Sequence, residues 1–193
     1  MKILLTLITV TFFLISCTDS GKQAWVADGK ESPEKQHFFP VTDYLKGEIY
    51  TIKKNGINPL KYTTINERTD SVWLKIEELD IALQEFLHPE IDSANLNTLF
   101  TEKSFLDQSI NAITFTYDPA KNLPDTMQLK HWDVYVDPET NRVKRIYMLK
   151  EISKEKTMQL TWLNNQWCKI VYITTDEKGI SKIEKEEKFI LDF

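Results

Sequence analysis

Six segments in the second half of the chain constrain the fold more than anything else. "INAITFTYD", "MQLKHWDVYVD", "RVKRIYMLKEI", "KTMQLTWL", "QWCKIVYITT" and "KIEKEEKFILDF" are rich in β-branched and aromatic residues, the composition that suits a pleated, half-buried surface. Between them stand "DPAKNLPDT", "DPETN", "SKE", "NNQ" and "DEKGIS", stretches of Asp, Pro, Asn, Ser and Gly with turn chemistry. A parallel crossover needs about a dozen residues or more, and none of these gaps is long enough. The segments must run antiparallel, as a meander of about six strands.

The side-chain alternation says how that sheet is covered. From Met127 onward, Gln128, Lys130, Trp132, Val134 and Val136 alternate with Met127, Leu129, His131, Asp133 and Tyr135. In the next segment Val143, Tyr147 and Leu149 alternate with Ile146 and Met148. A sheet with one wet face alternates cleanly between apolar and polar, whereas here both faces are partly apolar. The expectation is a curved sheet, with helices packed on one face and an aromatic-lined concavity or a partner on the other. Trp132, Tyr135, Tyr147, Trp162, Trp167 and Tyr172 are the aromatics available. Aromatics at strand spacing ordinarily pack in a core; an open concavity would make Trp132, Tyr135, Tyr147, Trp162 and Trp167 the candidates for a hydrophobic-ligand surface.

The preceding segments supply the cover. Leu45, Ile49 and Ile52 recur at helical spacing behind Thr42, a good N-cap residue, and predict a short amphipathic helix over 41–55, weakened by Gly47. "NPLKYTTINERTDSVWLKI" alternates Tyr62 and Thr64, then Val72, Leu74 and Ile76, around a polar turn and reads as a β-hairpin. In "EELDIALQEFLHPEI" Leu79, Leu83, Phe86 and Leu87 share one side of a second helix that stops at Pro89. The fold class is therefore α+β: two short N-terminal helices with a hairpin, then a curved antiparallel meander packed on the helices.

The N-terminus carries an address. Lys2 precedes an apolar run from Ile3 to Ile15, interrupted by Thr6, Thr9 and Thr11, that closes on Ser16 and Cys17. This is the outline of a bacterial export signal, and at about thirteen residues it is shorter than the roughly 17 to 25 that span a bilayer. "LISC", Leu14 to Cys17, resembles the lipobox of bacterial lipoproteins. That resemblance implies cleavage after Ser16, a diacylglycerol thioether on the Cys17 sulfur, and an acylated Cys17 amino terminus. Two or three acyl chains, at about 0.8 kcal/mol per buried methylene, hold a protein at a membrane that one chain binds only marginally. "TDSGKQAWVADGKESPEKQ" has no helical or strand period and reads as a tether. The divisions are a signal peptide over 1–16, a lipidated cysteine and flexible tether over 17–35, and a single domain over 36–193.

Chemistry-bearing motifs are scarce. The cysteines are Cys17 and Cys168; with Cys17 a thioether, no intramolecular disulfide forms, and Cys168 reads as a small buried hydrophobe, the alternative being a reactive thiol. His37, His88 and His131 are far apart, and no zinc-ligand spacing occurs, so no metal and no cofactor are expected. No serine has a G-x-S-x-G setting, and five glycines leave no phosphate-cradling loop. Asp107, Asp118, Asp125, Asp133 and Asp137 are the carboxylates from which a dispersed acid/base pair would have to come. A formal charge of −5, from 24 basic against 29 acidic residues, argues against nucleic acid as a partner.

"DVYVDPETN" resembles the hairpin turn of PepSY domains, with Asn141 where that family has Gly. Lipobox, polar tether and a "FFPVTDYL" domain start together resemble the small lipoproteins of Bacteroidota. These resemblances imply a lipid-anchored protein of the cell envelope, at the outer membrane, with the periplasmic side the better fit. Three functions follow: a non-enzymatic module that binds an envelope protein, a carrier of hydrophobic ligands in the manner of half-barrel lipoprotein chaperones, or an enzyme built from dispersed acids. The anchor itself is testable. Cys17→Ser is expected to abolish incorporation of radioactive palmitate and move the protein out of the membrane fraction; a variant that still labels refutes the lipobox reading.

Overall fold

The computed structural model describes residues 38–92 and 96–191, all within one compact unit, 35–193. The signal peptide, Cys17, the tether and His37 lie outside the described residues. Among the described residues no helix is long and apolar enough to cross a membrane.

Helix α1 (Val41–Lys54) buries Val41, Leu45, Ile49 and Ile52 along one stripe. Its start differs from the sequence expectation: Pro40 holds the N-cap position, without a side-chain cap. Thr42 is the second residue of the helix, where its Oγ1 accepts the Ile91 N–H at 2.7 Å and ties a distant loop to the first turn. Gly56, at φ +69°, closes α1: the Ile57 N–H bonds Ile52 O and the Gly56 N–H bonds Lys53 O. This Schellman turn needs the left-handed conformation glycine adopts without strain.

Strands β1 (Leu60–Ile65) and β2 (Arg68–Trp73) form the expected hairpin. Asn66 and Glu67 take φ of 48° and 66°, the two-residue mirror-image turn that matches strand twist. The expected second helix is broken instead. A 3-10 turn (Ile76–Glu78), α2 (Leu79–Ala82) and α3 (Gln84–Leu87) follow one another, with Leu83 off helical geometry at φ −107°, ψ 8°. The Phe86 N–H bonds back three residues to Leu83 O, a tightened turn that still delivers Leu79, Leu83 and Phe86 to the core, each at most 1% exposed.

The remaining strands are β3 (Phe100–Asp107), β4 (Ala112–Pro119), β5 (Leu129–Val136), β6 (Val143–Ser153), β7 (Lys156–Leu163), β8 (Trp167–Thr175) and β9 (Ser181–Ile190). All pairings are antiparallel, in the order β2-β1-β9-β8-β7-β6-β5-β4-β3. The molecule is mostly β with a few short helices, and its single sheet has nine strands where the sequence predicts about six. Two causes account for the difference. The hairpin joins the sheet through β1 against β9, and β3 has no clean alternation because, past Phe100, its core-side positions are Glu102, Ser104 and a half-exposed Leu106, as befits an edge strand.

Cross-strand partners define the core. Glu187, Ile170, Leu160, Met148, Trp132 and Tyr117 are successive partners from β9 to β4, so they share the helix-covered face. Trp132 stacks on Tyr117 at 4.6 Å and meets Phe100 and Phe38 edge-on at 4.7 and 6.0 Å. Phe86 meets Trp162 edge-on at 5.5 Å. Truncating such a residue costs the transfer free energy and leaves a cavity: Trp132→Ala is expected to lower unfolding stability by about 3–5 kcal/mol in urea titration. Trp132→Phe should cost distinctly less, because it also removes an indole N–H buried without a partner.

Candidate functional site

The five candidate ligand aromatics do not share a face. Trp132 and Trp162 are 0% and 1% exposed and lie under the helices, where neighbouring rings fill the space an aromatic concavity would need. Trp167 and Tyr135 belong to a row on the opposite, open face: Trp73, Leu60, Ile190, Trp167, Leu163, Arg145, Tyr135 and Thr114 are successive cross-strand partners. Tyr147 stands in the neighbouring row beside Asp133. Cations cover two of these rings, Arg145 at 3.8 Å over Tyr135 and Lys188 at 5.0 Å over Trp167.

The open face carries a polar cluster instead of a ligand cradle. His131 Nδ1 lies 2.9 Å from Asp118 Oδ1, and Nε2 lies 3.1 Å from Asp133 Oδ2. With a carboxylate at each ring nitrogen, only the doubly protonated imidazolium donates to both. The hydrogen bond to Asp133 raises the His131 pKa, against burial and with help from Asp118. Burial pushes both carboxylates up, but His131, with Lys103 at Asp118 and Thr116 at Asp133, holds them below the usual range. Because the two carboxylates take opposite ring nitrogens they form no chelate, and among the described residues no group of three His, Cys, Asp or Glu is placed to hold a metal.

Asp107 and Asp137 are structural. Asp107 accepts from the Ser109 N–H and hydroxyl, and Asp137 accepts the Glu139 and Thr140 N–H groups at 2.9 Å each, so both build turns. Asn141, at φ +55°, completes the second turn in the conformation that a glycine or asparagine best adopts. A general acid has to be held protonated, and Glu48 is a carboxyl whose pKa burial raises, against the opposing effect of the nearby Tyr44 hydroxyl. It lines a cavity of about 190 Å³ in which, among the described residues, it is the one carboxylate. Cys168 is fully buried, and burial raises its thiol pKa well above the ordinary value, as expected of an inert packing residue.

A mainly apolar open space lies at the end of the helix-covered face. Ile65, Lys185, Tyr172, Met158 and Lys150 are successive partners across β1, β9, β8, β7 and β6. The row is covered at one end only: Lys150, 1% exposed, donates to Glu85 O at 2.5 Å and Glu85 Oε2 at 2.8 Å on α3. Burial lowers the Lys150 pKa even though Glu85 opposes it. Past this pair the cover stops, and a groove of about 350 Å³ opens, with Met158 and Tyr172 as floor, Ile65 and Ile152 as apolar walls, and Lys156, Glu184 and Lys185 at the rim.

Two strand irregularities shape the groove. The β6–β7 register shifts between Glu151 and Ser153, and the β8–β9 register shifts between Tyr172 and Ile173. The residues left without a cross-strand partner are Ile152 and Glu184, and both line the groove. A bulge re-aims a side chain in this way. Beside the groove Glu187 accepts from Lys61 at 2.6 Å, Lys185 at 3.3 Å and Tyr172 at 3.1 Å; burial raises its pKa, and these partners more than reverse the effect. Sequence reasoning missed the groove because Ile65, Ile152 and Met158 come from three segments that meet only through long-range strand pairing, with Ile152 placed by a bulge. The one legible signal was Tyr172, already among the aromatics of interest. No family model, curated protein or solved structure matches the chain.

The histidine cluster gives a pH prediction. The folded pKa of His131 lies above an unfolded value of about 6.5, so its stabilisation is complete below about pH 6.5 and is lost as pH rises through the folded value. The two aspartates lie below an unfolded value of about 3.9, so theirs is present above that pH and lost as pH falls through the folded values. The stability gap between wild type and His131→Gln is therefore expected to be widest from about pH 4 to 6.5 and to narrow on either side, as read by urea unfolding across pH.

Proposed function

We propose that this chain is a lipid-anchored protein of the bacterial envelope, without catalytic activity, that binds another envelope protein along a free edge of its sheet. The state of strand β2 carries this reading. All six of its residues are exposed, and among the described residues β2 has a neighbouring strand, β1, on one side only.

Its backbone polarity follows from the hairpin. The two-residue turn is closed by the Ile65–Arg68 pair, and the Leu74 N–H bonds Pro59 O at 2.9 Å at the other end. In an antiparallel ladder hydrogen-bonded and non-bonded pairs alternate, so Arg68, Asp70 and Val72 face β1 while the N–H and C=O groups of Thr69 and Ser71 point away from it. Those groups are a template for one added strand. Arg68 and Asp70 are the charges that natural edges carry against indiscriminate pairing.

The scarcity of catalytic geometry supports the same reading: Asp107 and Asp137 are committed to turns and Asp118 and Asp133 to His131, and among the described residues the raised carboxyl of Glu48 has no second acid in its cavity. Ser71→Pro removes an outward N–H and places a ring on the edge without touching the β1 ladder. It is expected to leave unfolding stability within about 0.5 kcal/mol of wild type and to abolish recovery of the partner from cross-linked envelopes. A partner recovered equally well with Ser71→Pro refutes edge pairing. A second reading, carriage of a hydrophobic ligand, is favoured by one observation, the apolar groove beside the same edge.

A further inference from the structure

We propose that the groove between Ile65 and Ile152 binds a single-chain amphiphile with an anionic head, of the long-chain carboxylate class. The proposal rests on the hydrophobic-ligand reading and adds to it a site, a chain number and a head charge.

Three observations carry it. The first is the construction of the walls. Ile152 and Glu184 are the unpaired residues of two separate bulges, and each lines the groove. Ile65 and Ile152 are 47% and 39% exposed, two branched apolar side chains facing each other in water across a floor of Met158 and Tyr172. The second is size. Small-molecule sites run from about 300 to 1,000 Å³, and about 350 Å³ is at the small end of that range, which suits one alkyl chain and excludes a two-chain lipid.

The third is charge. Lys156, Lys185 and Lys61 face Glu184 and Glu187 in and beside the groove, an excess of one positive charge. Glu187 is already satisfied by Lys61, Lys185 and Tyr172, and Glu85 is held by Lys150. Lys185 also lies 4.1 Å over the Tyr172 ring, which fixes its ammonium at the mouth. Lys156 is paired only with Glu184, at 3.3 Å, with both side chains about half exposed at 53% and 50%. Exposed pairs of this kind hold weakly, so Lys156 is the ammonium available to a ligand carboxylate. The chain then lies along Ile65, Ile152 and Met158, and the head sits between Lys156 and Lys185.

The test uses the full chain carrying Cys17→Ser, titrated calorimetrically with dodecanoate and, separately, with dodecyltrimethylammonium, each below its micellar concentration. Dodecanoate is expected to bind at least about tenfold more tightly than the cation, a difference of about 1.4 kcal/mol. Ile65→Asp should weaken dodecanoate at least about tenfold, and Lys156→Glu should reverse the head preference. Both positions are exposed, and thermal unfolding checks that each variant folds. Equal affinity for the two heads, or a preference unmoved by Lys156→Glu, overturns the anionic assignment and leaves the hydrophobic-ligand reading standing. Binding unaffected by Ile65→Asp overturns the groove as the site. Failure of both probes to bind overturns the proposal and the carrier reading together.

Discussion

A sheet of nine strands is wider than the helices available to cover it, and the rest of the structure follows from that mismatch. Nine strands at about 4.8 Å spacing extend roughly 38 Å. Among the described residues the longest helix has 14 residues, about 21 Å at 1.5 Å per residue, and the others are single turns. The cover is concentrated over the aromatic centre, where Trp132, Tyr117, Phe100 and Phe38 meet. The strip along Ile65, Tyr172 and Met158 is left to be closed by bulged strand ends or by something bound there.

The buried Lys150–Glu85 pair marks the border of the cover. An ammonium at 1% exposure is costly to desolvate, and replacing such a pair with apolar side chains is often neutral or stabilising. Its position is more informative than its energy. It joins the central strand β6 to α3 where a core gives way to an open groove, and its two bonds hold the short helix in one place. The Lys53–Asp80 ion pair joins α1 to α2 at the surface, where Asp80 is 60% exposed and the pair holds weakly. The short helices are held chiefly by Leu79, Leu83 and Phe86 in the core, with the buried Lys150–Glu85 pair fixing α3 on β6.

The two faces divide the labour of burial. The helix-covered face is dry and aromatic, whereas the open face half-buries its side chains against one another. His131 between two aspartates, Arg145 on Tyr135 and Lys188 on Trp167 satisfy polar groups and shield rings without any covering element. This explains why both faces of the strands look partly apolar in sequence. The second apolar set belongs to a self-shielded surface, and the open groove is on the other side, past the end of the helices.

Antiparallel pairing, the β1–β2 hairpin, α1 and six of the nine strands were legible from the sequence, because they rest on local signals: a two-residue period, turn chemistry and gaps too short for a crossover. Strand β3 was not, since an edge strand with polar core-side positions has no period to read. The break at Leu83 was hidden as well, because its apolar spacing is the same in one helix or two short turns. Which aromatics are core was settled by the face on which α1 and α3 dock, a decision made by packing between residues far apart in the chain. The groove depended on tertiary structure most of all. Ile65, Ile152, Met158 and Tyr172 come from four strands: regular pairing brings Ile65, Tyr172 and Met158 into one row, and a one-residue register shift beside them places Ile152.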